Sequence, residues 1–133
     1  MGCRGGAGGR VEGRERFPIA RPWIAKLVAA IRKHDRRHLI SVGLLPDPQG
    51  NAGFPPKEIA RDLDFLCVHL YPKGGKLADD LKTVEAFAAG KPVIIEETFL
   101  LTCTAEQLRQ FIDASAQHAT GWIGFYWGKT PAQ

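Results

Sequence analysis

Two adjacent carboxylates, Glu96 and Glu97, end the apolar run Val93-Ile94-Ile95, and no other pair in this chain is better suited to do chemistry. Such a run reads as a strand buried on both faces, as in a parallel sheet flanked by helices. In a parallel α/β barrel the reactive groups sit at the carboxyl ends of the strands. A glutamate there is placed to serve as nucleophile, base or acid. The competing reading is that both glutamates simply begin a solvated loop. Two other segments end in chemically unusual residues. Asp64–Tyr71 closes on His69 and Tyr71, which share one face because side chains alternate along a strand. Trp122–Trp127 closes on Tyr126 and Trp127. A carboxylate, an imidazole, a phenol and an indole together suit a sugar site, where aromatic faces stack on pyranose rings and polar groups read hydroxyls. Each also has a plainer role. His69 reads as a hydrogen-bonded core residue, Tyr71 as the end of a strand before Pro72, and Trp127 as core filler.

The elements that must position these residues alternate along the chain. Trp23, Ile24, Leu27, Val28 and Ile31 recur at helical spacing, so a helix is predicted from about Ile19 to Lys33, with Pro22 in its first turn. Leu39–Leu45 reads as a strand, and a Pro-, Gly- and Asn-rich loop runs from Asp47 to Pro56. A short helix over Pro56–Arg61 precedes the strand Asp64–Tyr71. The next helix spans about Leu77–Ala89, with Leu81, Val84, Phe87 and Ala88 as its stripe and Gly90 as its C-terminal cap. Pro92–Glu97 is the third strand. Thr104 and Gln107 match a capping box, and the helix they open turns Leu108, Phe111 and Ile112 inward. The fourth strand is Trp122–Trp127. Strand starts fall roughly 25 to 30 residues apart, the size of one strand–helix unit. Four such units make a small open parallel sheet or half of an eight-stranded barrel. No Gly-x-Gly-x-x-Gly opens a helix after a strand, and no phosphate-binding loop is present.

Composition narrows the classes. The 133 residues are 44% hydrophobic, enough for one ordinary domain core, assigned to residues 17–133. The Gly- and Arg-rich leader, residues 1–16, has no apolar segment of a secretory signal and is expected to be disordered. No apolar run approaches the ~18 residues a membrane span needs, so no membrane partner is expected. The net charge of +4 owes much to the leader and to Arg32-Lys33-His34-Asp35-Arg36-Arg37-His38, where cations favour the end of a helix. No nucleic-acid motif accompanies the charge, and nucleic acid is not an expected partner. Cys3, Cys67 and Cys103 have no ligand-like spacing; free thiols are expected, with Cys67 in the core and no metal site.

In order, Arg37-His38-Leu39-Ile40-Ser41-Val42-Gly43, Asp64–Pro72, Lys91–Glu97 and Gly121–Trp127 resemble the fifth to eighth strands of a TIM barrel. The resemblance is to the C-terminal half of cellulase-like retaining glycoside hydrolases (glycoside hydrolase family 5, clan A), and it covers about Ile19–Gly128. It implies hydrolysis of O-glycosidic bonds in a β-linked oligo- or polysaccharide, without metal or organic cofactor. By position it implies Glu97 as nucleophile, with Thr98 standing where that family often has an aromatic. It likewise implies His69 and Tyr71 as residues that bind substrate and orient the nucleophile, and Trp127 as the wall of the reacting-sugar subsite.

Half of that family's machinery is not seen. Its acid/base Glu follows an Asn, yet the one Asn here, Asn51, precedes Ala52. Glu58, Asp62 and Asp64 precede their strand, and alternation turns Glu96 away from Glu97. The expectation is therefore a truncated or mis-started reading of a longer gene, inactive or very weak alone. Its half-barrel edges are expected to favour self-association. The alternatives are a non-catalytic carbohydrate-binding or assembly fragment, and an unrelated small α/β protein whose Glu pair is structural. Neither the particular glycan nor the cellular location is legible.

Overall fold

The structure is a computed structural model and describes residues 17–51 and 53–125. The leader 1–16 and the aromatics Tyr126 and Trp127 lie outside the described residues. Within them the chain runs α1 (Phe17–Arg32), β1 (Gly43–Leu44), α2 (Pro56–Ile59) with a 3₁₀ turn (Ala60–Asp62), β2 (Leu66–His69), α3 (Leu77–Phe87), β3 (Val93–Thr98), α4 (Ala105–Ser115) and β4 (Gly121–Gly124). The four strands form one sheet in the order β1-β2-β3-β4, and every pairing is parallel. This is the α/β arrangement that the alternating pattern predicts, and it resembles a TIM-barrel fragment.

Local chemistry explains most of the boundaries. α1 begins two residues earlier than its periodicity suggests, so Pro22 lies inside the helix rather than in its first turn. Arg32 in its last turn donates from Nη1 to the carbonyl of His38 at 2.6 Å and pairs through Nη2 with Asp64 at 2.5 Å. The same Asp64 oxygen accepts from the amide of Ile40 at 2.7 Å. One guanidinium and one carboxylate thus tie the end of α1 to the entries of β1 and β2. α4 opens on the capping box foreseen in the sequence. Thr104 Oγ1 accepts from the amide of Gln107, and Gln107 Oε1 accepts from the amide of Thr104. α3 ends differently from expectation: its C-terminal cap is Ala88, and Gly90 takes a left-handed φ of 76° two residues later. There a glycine avoids the Cβ clash that other residues meet.

The core lies between the sheet and its helices. Leu66 and Val68 from β2, Val93 and Ile95 from β3, Val84 and Phe87 from α3 and Phe111 from α4 are fully buried. Sealing each such side chain contributes about 1.5–3 kcal/mol relative to exposure. Cys67 is buried as expected, and it and Cys103 are free thiols. Two expectations fail here for one reason. β3 is not buried on both faces, since Ile94 and Glu96 are only half-buried. α1 does not bury its whole apolar stripe, since Ile24 is sealed while Trp23, Leu27 and Ile31 are exposed. Among the described residues, helices cover one side of this sheet and no strand pairs with the far edge of β1. β1 itself shrinks to two paired residues, because an edge strand has a partner on one side only.

Candidate functional site

The site assembles where β2 and β3 end, and a β-bulge builds it. Val68 pairs with Ile95, but the next residue, His69, pairs with Glu97. On the other side of β3, Ile95 pairs with Trp122 while Thr98 pairs with Gly124. Between Ile95 and Thr98, β3 therefore carries one residue more than either neighbour. An extra residue cancels the alternation of side chains. Thr98 takes the next buried position after Ile95, and Glu96 and Glu97 both reach the ring of His69. Strict alternation sends these two glutamates to opposite faces, and the bulge is why that expectation is wrong.

The contacts are specific. Glu96 Oε1 lies 2.9 Å from His69 Nε2, and Glu97 Oε2 lies 3.0 Å from His69 Nδ1. The Tyr71 hydroxyl donates to Glu97 Oε1. A neutral imidazole has one N–H and can donate to one of its carboxylates. The contact of Nε2 with Glu96 is a hydrogen bond, and Nδ1 meets Glu97 at ion-pair distance. The phenol of Tyr71 is pushed up to about 12, first by burial and then by its bond to the Glu97 carboxylate. Tyr71 therefore remains a donor through the neutral range. The ring of Phe125 meets Tyr71 edge-on, with centroids 6.4 Å apart. The loop ends are pinned by backbone bonds from Leu70 N to the carbonyl of Glu97, and from Phe125 N to the carbonyl of Thr98, each 2.9 Å.

Gly43 makes this packing feasible. A Cβ at Gly43 would stand 2.2 Å from Glu96 Oε1 and 2.7 Å from His69 Nε2. The Glu96–His69 pair thus lies over the backbone of β1 in space that only glycine leaves open. Gly43 is the site residue that sequence reasoning missed. The signal existed, because a glycine at a strand position marks a bulge or a close approach. The neighbouring Cys67 thiol is pushed up to about 12, by burial above all and also by Glu96, with a bond to Ser41 acting the other way. It is accordingly a protonated, inert thiol at neutral pH. A groove of about 440 Å³ lined by Trp23, Val42, Gly43, Leu44, Leu45, Asp47 and Phe54 adjoins the pair at Gly43.

Of the residues singled out in the sequence, His69, Tyr71 and Glu97 come together at hydrogen-bonding distance. Trp127 lies outside the described residues. Glu96 joins the cluster, with the His69 ring between it and Glu97. Among the described residues, no group of three or more His, Cys, Asp or Glu side chains could hold a metal ion. None of the described helices is long and apolar enough to cross a membrane.

No family model matches the chain, and no curated protein matches it. Among solved structures it is similar to the crystal structure of Bacteroides uniformis beta-glucuronidase, at 11% sequence identity and a TM-score of 0.61. The match covers 91% of this chain and 17% of that one. This similarity establishes the fold; the neighbour is by its name a glycoside hydrolase.

Proposed function

We propose that the described sheet is the nucleophile-bearing half of a retaining glycoside hydrolase site of the cellulase-like type, acting on a β-linked glycan. The observation that carries the reading is the double anchoring of Glu97 at the carboxyl end of β3. Tyr71 donates to one of its oxygens, and His69 faces the other at 3.0 Å. A nucleophile that attacks an anomeric carbon must be held in one orientation; the Tyr71 hydroxyl holds one oxygen of Glu97, and the His69 ring stands against the other. Glu97 is then the nucleophile, and His69 and Tyr71 orient it and meet the sugar. The glycoside-cleaving name of the structural neighbour favours the same reading. The chemistry needs no metal or organic cofactor.

Retention also needs a second carboxyl about 5 Å from the first, to protonate the leaving oxygen and then to activate water. Glu96 is a poor choice, since an imidazole fills the space between it and Glu97. This chain has no Asn-Glu dipeptide, and the acid/base belongs to the strands that precede β1 in a complete barrel. The chain by itself is therefore a weak catalyst at best, or a module that binds β-glycans without turnover.

An activated aryl β-glycoside tests this, because its leaving group needs little protonation. Slow release of the aryl alcohol, or a single burst, is expected from the purified chain and is absent from Glu97→Ala. A 2-fluoro-sugar inactivator would label Glu97, as mass spectrometry of the digested protein can show. No release and no label from a folded sample, with retained affinity for β-glycans, would leave the binding module. The loss of all three would sink the sugar reading.

A further inference from the structure

The helices seal one face of the sheet, whereas its two ends remain open. α1 carries apolar residues on two stripes. Ala20, Ile24 and Val28 pack into the core. Ile19, Trp23, Leu27 and Ile31 repeat every fourth residue and are exposed, Trp23 at 51%. A helix that is apolar on more than one side is built to be covered. Leu39 and Leu45, on either side of β1, are exposed as well. Among the described residues β1 pairs only with β2. At the far end, again among the described residues, β4 pairs only with β3, and Ile123 at 55% and Phe125 at 54% stand exposed there. One chain thus offers two unlike strand edges, each with large apolar side chains beside it.

We infer that a second copy of this chain covers them. β4 of each copy pairs in parallel with β1 of the other, the exposed stripe of α1 packs against the other copy's β4 end, and the two copies close an eight-stranded barrel. Three observations select this occupant. The strand order is sequential and every pairing is parallel, so a two-fold axis along the strands joins unlike edges without reversing direction. Twice four is eight, the strand number at which inward side chains fill a parallel barrel. The outer helices also differ in net charge: α1 carries Lys26 in addition to Arg21 and Arg32, which pair with Asp62 and Asp64, while on α4, beside β4, two acids, Glu106 and Asp113, share one cation, Arg109. A head-to-tail contact that closes in this way leaves no edge, whereas one that fails to close grows into fibres. The inference rests on the fold and not on the glycosidase reading.

Sedimentation velocity of the full chain, with Trp23→Glu and Ile123→Glu as single variants, tests it. The unaltered chain is expected to run as a discrete dimer at micromolar concentration. Each variant is expected to weaken the dimer on the order of tenfold or more. Both side chains are exposed in the single chain, so far-UV circular dichroism should stay unchanged in the variants. A monomer at every concentration, an open-ended ladder of oligomers, or a dimer indifferent to Ile123→Glu would each overturn the inference.

Discussion

On the helix-facing side of the sheet, Leu66, Val68, Val93 and Ile95 are sealed from water, while on the other side Ile94, Glu96 and His69 stay half-buried. The first side is held by volume. Its side chains carry no polar atoms, and any well-fitting apolar residue of similar size serves. The second side is held by atom-to-atom pairing, Glu96 to His69, His69 to Glu97 and Glu97 to Tyr71, over the bare backbone of Gly43. The difference teaches where specificity resides. Substitutions on the first face change how stable the sheet is, and substitutions on the second change what it can do. The bulge between Ile95 and Thr98 joins the two regimes, because there β3 stops alternating and gives both acids to the site.

The largest expected effect breaks the helix-facing side. Phe87→Ala removes a fully buried ring from α3 and should cost about 3–5 kcal/mol in urea unfolding. A loss under about 1 kcal/mol would show that this face is not the core. Next, Gly43→Ala attacks the other side. Its Cβ must drive the Glu96 carboxylate off His69, at a cost of about 1.5–3 kcal/mol, the worth of a hydrogen bond to a charged group. The imidazole resonances of His69 should move in NMR, which a mere cavity or propensity effect elsewhere would not produce. Unshifted resonances would mean that Glu96 does not hold the ring.

Thr104→Ala removes half of the capping box and should cost about 1 kcal/mol, with the site resonances unchanged. It serves as the control for damage confined to a helix end. The smallest effect is in alkali. The folded Tyr71 phenol ionises near 12 rather than near 10, so the unfolded chain loses its proton first. The associated stability is fully present below pH 10 and is lost as pH rises toward 12. The partly exposed ring keeps this contribution modest. Tyrosinate absorbance should show a late step that Tyr71→Phe abolishes. A Tyr71 step near 10 would break the bond to Glu97.

Much of this molecule is legible from local patterns. Helical spacing in α3 and α4, the Thr104 and Gln107 cap, the apolar run of β3 and the strand-helix rhythm each depend on residues a few positions apart. That is why the parallel α/β order and the grouping of His69, Tyr71 and Glu97 at strand ends could be expected. The extent of burial was less legible. The apolar spacing of α1 announced a buried stripe, but only the sheet's edge decided that Trp23, Leu27 and Ile31 stay about half exposed. The Glu97–Tyr71 bond follows from two strand ends that sequence could align. The Glu96–His69 bond does not, since it depends on a bulge.

By itself the sequence determined which residues could do chemistry and which elements carry them, because residue type and short-range periodicity are local properties. The tertiary structure alone decided that both glutamates face one histidine and that Gly43, on the strand beside that histidine's own, makes room for the Glu96–His69 pair. The physical reason is register. Whether β3 holds an extra residue between Ile95 and Thr98 is set by how it pairs with β2 on one side and β4 on the other, and those partners lie about one strand-helix unit away along the chain.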